Sequence, residues 1–214
     1  MLSLCKALFV LLVIGFITAA ASADVVLHAN LTHDQETTTG VLVNSSTGGL
    51  RPLSFGTATF ILNDAMTALS FEATIFNIDV TGLQTINDLN DNLTNAHIHA
   101  PAPPGTNAGV VWGFHGMPFN NTMPNDSVVT PFAMGVGGTF SGVWNLPEGN
   151  GGTTLALQLP NIFAGLAYIN FHTVQFPGGE IRGQIVPEPH SLAALALGAM
   201  LVLGRYRHRR RAVI

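Results

Sequence analysis

Apolar and polar residues alternate along short stretches of this chain, and turn residues separate the stretches. In Leu69-Ser70-Phe71-Glu72-Ala73-Thr74-Ile75 the odd positions are apolar. In Thr57 to Leu62 the side chains of Ala58, Phe60 and Leu62 fall on every second residue. A period of two puts them on one face of an extended strand. The intervening "LNDAMTA" reads as a hairpin turn. Further strands are expected at Val25 to Leu31, Ala96 to Ala100, Gly109 to Phe114, Gly138 to Trp144, Ala167 to Val174 and Glu180 to Val186. About eight strands in a body of about 160 residues is the density of an all-β, immunoglobulin-like antiparallel β-sandwich. Thr154 to Gly165 is the one helix candidate in the body, interrupted by Pro160, and residues 101–108 and 115–136 read as loops.

Both ends depart from this pattern. Lys6, the apolar run Ala7 to Ile17 and the A-x-A site Ala21-Ser22-Ala23 have the order of a secretory signal helix, which predicts removal of residues 1–23 by a signal peptidase. Residues 187–214 open with Pro187-Glu188-Pro189, continue through the apolar run Leu192 to Gly204, and close on Arg205, Arg207, Arg209, Arg210 and Arg211. Proline interrupts helix and sheet alike, so Pro-Glu-Pro is expected to stand exposed. An apolar helix is expected behind it, too short for a stable span and associated with the membrane only transiently. This order closely resembles the PEP-CTERM sorting signal of bacterial exported proteins. The resemblance implies an exosortase-type processing enzyme as partner and the secreted or cell-envelope compartment as destination.

The body between them, residues 24–186, is expected to be one domain. The chain's one cysteine, Cys5, lies in the signal, so no disulfide supports the body. Two basic residues, Arg51 and Arg182, stand against eleven aspartates and glutamates, and there is no lysine. That balance repels nucleic acid and anionic lipid. Hydrolase signatures such as G-x-S-x-G and H-E-x-x-H are absent, as are phosphate-cradling loops.

Chemistry gathers on one face of three strands. In Asn95-Ala96-His97-Ile98-His99-Ala100, Ile98 points one way and both histidines the other, their α-carbons about 7 Å apart. In "YINFHT", Tyr168, Asn170 and His172 share a face opposite Ile169 and Phe171. In "GEIRGQI", Glu180, Arg182 and Gln184 share a face opposite Ile181 and Ile185, and the bend "QFPGG" closes the two into a hairpin that sets His172 against Glu180 or Arg182. Two readings stand. In one, His97, His99 and His172 converge on a zinc or copper ion, with Glu180 as fourth ligand or as acceptor behind a ligand. In the other, the histidines belong to a structural polar cluster with Tyr168, Asn170, Glu180, Arg182, Gln184 and Glu36. Arg182 is expected to make a bidentate pair with Glu180 or Glu36. His28, His33 and His115 read as surface or loop residues, and Asp88 to Asn92 as a solvated acidic loop with at most a loose calcium site.

"NAHIHAPAPPGTNAGVV" followed by "AYINFHTVQFPGGEIRGQI" resembles the CHRD (chordin-type) domain. "LHANLTHDQETTTG" is similar to that family's opening strand, with Glu36 at its glutamate, and "GTATFILNDAMTALSFEATIFNI" to the next two. Ala100 stands where the family commonly has glycine. The resemblance implies a secreted or surface β-sandwich without a defined activity: a non-enzymatic module that binds an extracellular polysaccharide, a protein or a metal ion. The alternative is a metal-dependent redox enzyme. Copper/zinc superoxide dismutases also carry a His-x-His strand in a β-sandwich, although their remaining histidine and aspartate spacings and their disulfide are absent here.

Overall fold

The alternating segments form strands, and they pair in the order that buries their apolar face. A computed structural model describes residues 24–188. In chain order the elements are β1 (Val25–Thr32), β2 (Phe55–Leu62), β3 (Ala68–Phe76), β4 (Leu93–His99), β5 (Val110–His115), β6 (Val128–Pro131), β7 (Gly137–Asn145), α1 (Leu155–Phe163), β8 (Tyr168–Thr173), β9 (Ile181–Gln184) and β10 (Val186–Pro187). Every strand pairing is antiparallel. The strands follow one hydrogen-bonded path, β5-β4-β8-β9-β1-β2-β3-β7-β6, with β10 added to β1. In place of two separate sheets there is one curled sheet, whose halves face each other across the core.

Aromatic side chains join the halves. Phe71 on β3 meets Phe114 and Trp112 on β5, with ring centroids 4.6 and 5.8 Å apart. Phe140 on β7 meets Phe171 on β8 at 5.2 Å, and Trp112 stacks on Trp144 of β7 at 5.6 Å. Phe60, Leu62, Ile98, Ile169 and Ile181 complete the interior. The alternation expected for β2 and β3 is present, with Ala58, Phe60, Leu62, Leu69, Phe71, Ala73 and Ile75 all buried.

Several details depart from the sequence expectations. Residues 128–131 form a strand inside the expected loop, because their backbone pairs with β7 although three of the four are exposed. An exposed strand without alternation carries no period-two signal. The helix runs through Pro160, which removes one N–H but does not end the nine-residue element. Pro-Glu-Pro does not begin outside the sheet: Pro187 sits opposite Leu27 on β1, and the Glu188 N–H donates to the Val26 carbonyl at 3.0 Å. Proline is tolerated here because β10 is a two-residue piece of edge strand, where the missing N–H costs little. The expected signal helix, the C-terminal apolar helix, Pro189 and the five tail arginines lie outside the described residues. Among the described residues no helix is long and apolar enough to cross a membrane.

Phe60 lies in the interior with no exposed surface, whereas Leu83 is 74% exposed. Phe60→Ala is expected to lower unfolding free energy in urea by about 3–5 kcal/mol. Leu83→Ala should stay within about 0.5 kcal/mol of the parent.

Candidate metal centre

Three rows of cross-strand partners build the polar face of β4, β8 and β9. Asn95 lies opposite His172. His97 lies opposite Asn170, which in turn faces Arg182. His99 lies opposite Tyr168, which faces Gln184. Alternation decides which side chains share this face, and loops then cover it, so all six residues of β8 are buried. Gln184 holds part of that cover by donating to the carbonyls of Ala102 (2.9 Å) and Gly165 (2.6 Å).

Each imidazole is oriented by one backbone carbonyl. His97 Nε2 donates to Met117 O, His99 Nδ1 to Ala108 O and His172 Nδ1 to Pro177 O, each at 3.0 Å. A carbonyl only accepts, so each bond places the proton on that nitrogen and leaves a lone pair on the other when the ring is neutral. Those other atoms, His97 Nδ1, His99 Nε2 and His172 Nε2, are buried and find no hydrogen-bond partner. The ring centroids are 5.1–5.7 Å apart. One ring nitrogen from each of the three lies within 4.8 Å of the others. Nitrogens that share a tetrahedral zinc ion sit about 3.3 Å apart, so a closure of at most about 1.5 Å brings them into a coordination sphere.

The surroundings favour neutral rings. Burial, with the neighbouring His172 and His99 adding to it, brings His97 down from its usual 6.5 to about 3. Burial brings His99 down to about 4, against the raising effect of its bond to Ala108. His172 is also lowered by burial. His99 stacks on Tyr168 with ring centroids 4.8 Å apart, and the Arg182 guanidinium carbon lies 4.8 Å from the centroid of the same tyrosine. A neutral imidazole held by a carbonyl is the state in which histidine binds a metal.

Loop geometry delivers the carbonyls. On β5, Gly113 lies opposite His97, and a Cβ there would land on the Pro118 carbonyl oxygen. The missing side chain lets residues 116–119 lie over the His97 ring and present Met117 O. Glu148 fixes the same loop from below: its Oε1 accepts from the N–H groups of Thr122 and Met123, both at 2.7 Å. The three carbonyls and Glu148 carry no sequence signal at this spacing. Gly113 was visible in the sequence, but its role depends on a loop whose path was not.

Glu180 does not join the histidines. Gly179 adopts a φ of 128°, which breaks the alternation just before β9. The Glu180 carboxylate turns instead to Arg51, which donates to Oε2 at 2.9 Å and to Oε1 at 3.3 Å. Thr173 donates to it at 2.6 Å, and Ser54 donates as well. The bidentate pair expected at Arg182 therefore belongs to Arg51. Arg182 donates to the carbonyls of Gln35 (2.5 Å) and Thr106 (2.9 Å), and its Nε lies 3.9 Å from Glu36. Glu36 is pushed up to about 7 by burial, against the lowering effects of Arg182 and His33.

Two other expectations are corrected. His33 is buried rather than superficial, because its Nδ1 donates to the Glu180 carbonyl at 2.6 Å. Asp88 and Asp91 are buried rather than solvated: Asp88 accepts from the N–H groups of Ser45 and Asn90, and Asp91 accepts from the Thr85 hydroxyl. His28 is half-exposed and meets Glu188 at 2.6 Å, and His115 packs its edge on Phe140. Among the described residues, His97, His99 and His172 are the one group of three or more metal-ligating side chains this close together.

A family model described as the CHRD domain matches residues 27–185, which span the sheet and all three histidines. No curated protein and no solved structure matches the chain.

These pKa values set the sign of the pH response. Unfolded, each histidine takes a proton near 6.5, but His97 and His99 resist it to about 3 and 4 when folded. The unfolded state therefore binds more protons between these limits, and the metal-free fold loses stability as pH falls below 6.5. Glu36 acts in the opposite sense between 4.5 and about 7, so the comparison must be with a variant. Between pH 4.5 and 6, the His97→Gln/His99→Gln variant should show a shallower loss, by about 1.4 kcal/mol per pH unit for each imidazole removed, in urea titrations. At the other cluster, Arg51→Met leaves the Glu180 carboxylate buried without its cation and should cost about 3–5 kcal/mol in the same assay.

Proposed function

We propose a binding role for this chain, which belongs to the CHRD domain family: an exported, non-enzymatic module that holds one zinc or copper ion on His97, His99 and His172. The carrying observation is that each of three buried imidazoles keeps one nitrogen without a partner, and that ring nitrogens of the three lie within 4.8 Å of one another. A purely structural cluster would have paired those atoms, since a buried polar group left unpaired costs about 1–3 kcal/mol. The CHRD family is one of extracellular-type binding or structural modules, which supports placement at the cell surface or in the extracellular matrix. We read the curled sheet as an immunoglobulin-like sandwich, and residues 187–214 as the segment by which an exosortase-type enzyme sorts the protein.

The charge distribution narrows the class of partner. Both arginines of the described residues are buried, and these residues contain no lysine. An anionic polysaccharide would find no surface arginine or lysine there to pair with, so a neutral polysaccharide or a basic protein suits this surface better.

A redox role is the second reading, and the all-imidazole donor set favours it to the extent that such sites suit copper as well as zinc. Copper-loaded protein that consumes superoxide catalytically would favour this reading over the first.

Protein purified without chelators and dialysed against zinc or copper should carry close to one ion per chain by elemental analysis. Because the rings need no deprotonation, occupancy should persist from pH 8 to about pH 5. His97→Ala and His172→Ala should each lose the ion. Parent protein that takes up neither metal and gains no thermal stability from either would overturn the proposal.

A further inference from the structure

A tetrahedral ion held by the three histidines would keep one further position, since no other described His, Cys, Asp or Glu belongs to their group. Three more buried polar atoms nearby also find no partner: Asn170 Oδ1, Glu36 Oε1 and Arg182 Nη2. They are not scattered. Asn170 stands between His97 and Arg182 across the sheet. A Cβ on Gly179 would lie 2.5 Å from Glu36 Oε1 and 2.5 Å from Asn170 Nδ2, so these two side chains converge on the bare α-carbon of that glycine. Asn95 Oδ1, opposite His172, is unpartnered as well. The face that gathers the imidazoles thus gathers most of the buried polar atoms left without partners, both acceptors and a donor.

A cleft of about 300 Å³ lies against this face. Glu36, Asn107, Phe176, Pro177 and Gly179 are among the residues that line it. Two of these also serve the centre: Pro177 supplies the carbonyl that orients His172, and Gly179 is where Glu36 and Asn170 meet. The cleft therefore ends on the shell around the histidines.

Charge selects what would enter. Three neutral imidazoles add nothing to a divalent ion, Arg182 adds one positive charge, and Glu36 offsets at most one. A site buried in protein with that excess attracts a small anion more strongly than water would allow. The rest of the described surface, rich in carboxylates and without an exposed arginine or lysine, repels one.

We propose that the fourth position of the metal centre is an exchangeable site for a small monodentate anion, reached through the cleft beside Glu36, with water bound there in the anion's absence. This rests on the three-histidine reading. The exchange is a ligand substitution: the anion's lone pair forms the new bond to the metal, water leaves, and no electrons are transferred. Asn170 Oδ1 and Glu36 Oε1, both buried and without a partner, would accept from the bound water, and Arg182 Nη2 would donate to the anion.

The test uses the full chain loaded with Co(II), whose visible bands report coordination number and ligand type, and azide as the probe anion. Azide should shift the bands saturably with one site per cobalt. Glu36 is pushed up to about 7, so at about pH 8.5 it is ionised. There Glu36→Gln removes a negative charge beside the site while keeping its shape, and should tighten azide binding about tenfold. Stoichiometric cobalt whose bands ignore azide in the parent protein would overturn this inference and leave the metal reading intact. An azide response that Glu36→Gln leaves unchanged would overturn the role given to the cleft. Failure of the chain to take up cobalt would overturn the metal reading and this inference with it.

Discussion

The arrangement depends on a single constraint: a buried neutral imidazole has one donor and one acceptor, and in each of three rings the donor is committed to a backbone carbonyl. That commitment fixes the tautomer, the ring plane and the direction of the remaining lone pair. Met117, Ala108 and Pro177 come from three different loops, yet the rings their carbonyls hold bring one nitrogen each within 4.8 Å of the others. Burial reinforces the effect by disfavouring the charged form, so the donors stay in the state a metal needs. The sheet sets the spacing, the loops set the orientation, and the low-dielectric surroundings set the protonation.

The two faces of the sheet divide the work. On the core side, Phe71, Trp112, Phe114, Phe140 and Phe171 lock the halves of the curl together. On the other side of β4, β8 and β9, polar residues that would ordinarily meet water are roofed by loops. The Arg51–Glu180 pair anchors the segment that leads into β9, and Glu148 anchors the loop over His97. These contacts hold covering loops, and through them the rings, in place.

What the sequence made legible follows from periodicity. Ala58, Phe60 and Leu62 declared a buried face, and the separation of Ile98 from His97 and His99 declared a second, polar one. Tyr168, Asn170 and His172 joined that face by the same rule. Parity failed at Glu180, where the positive φ of Gly179 turns the chain out of register before the strand begins. It was silent on β6, which is paired but mostly exposed, and on His33 and the Asp88 segment, whose burial comes from distant loops. The carbonyls that orient the rings are backbone atoms and leave no mark in residue identity. Long-range loop cover is the kind of information one sequence does not hold.

On the proposed reading three imidazoles, each held by a carbonyl, present their lone pairs to one ion. X-ray absorption spectroscopy at the zinc edge of the zinc-loaded protein tests this most directly. Nitrogen or oxygen should surround the zinc at about 2.0 Å, with the more distant scattering of three imidazole rings and no sulfur. An oxygen-only shell without imidazole scattering would contradict it.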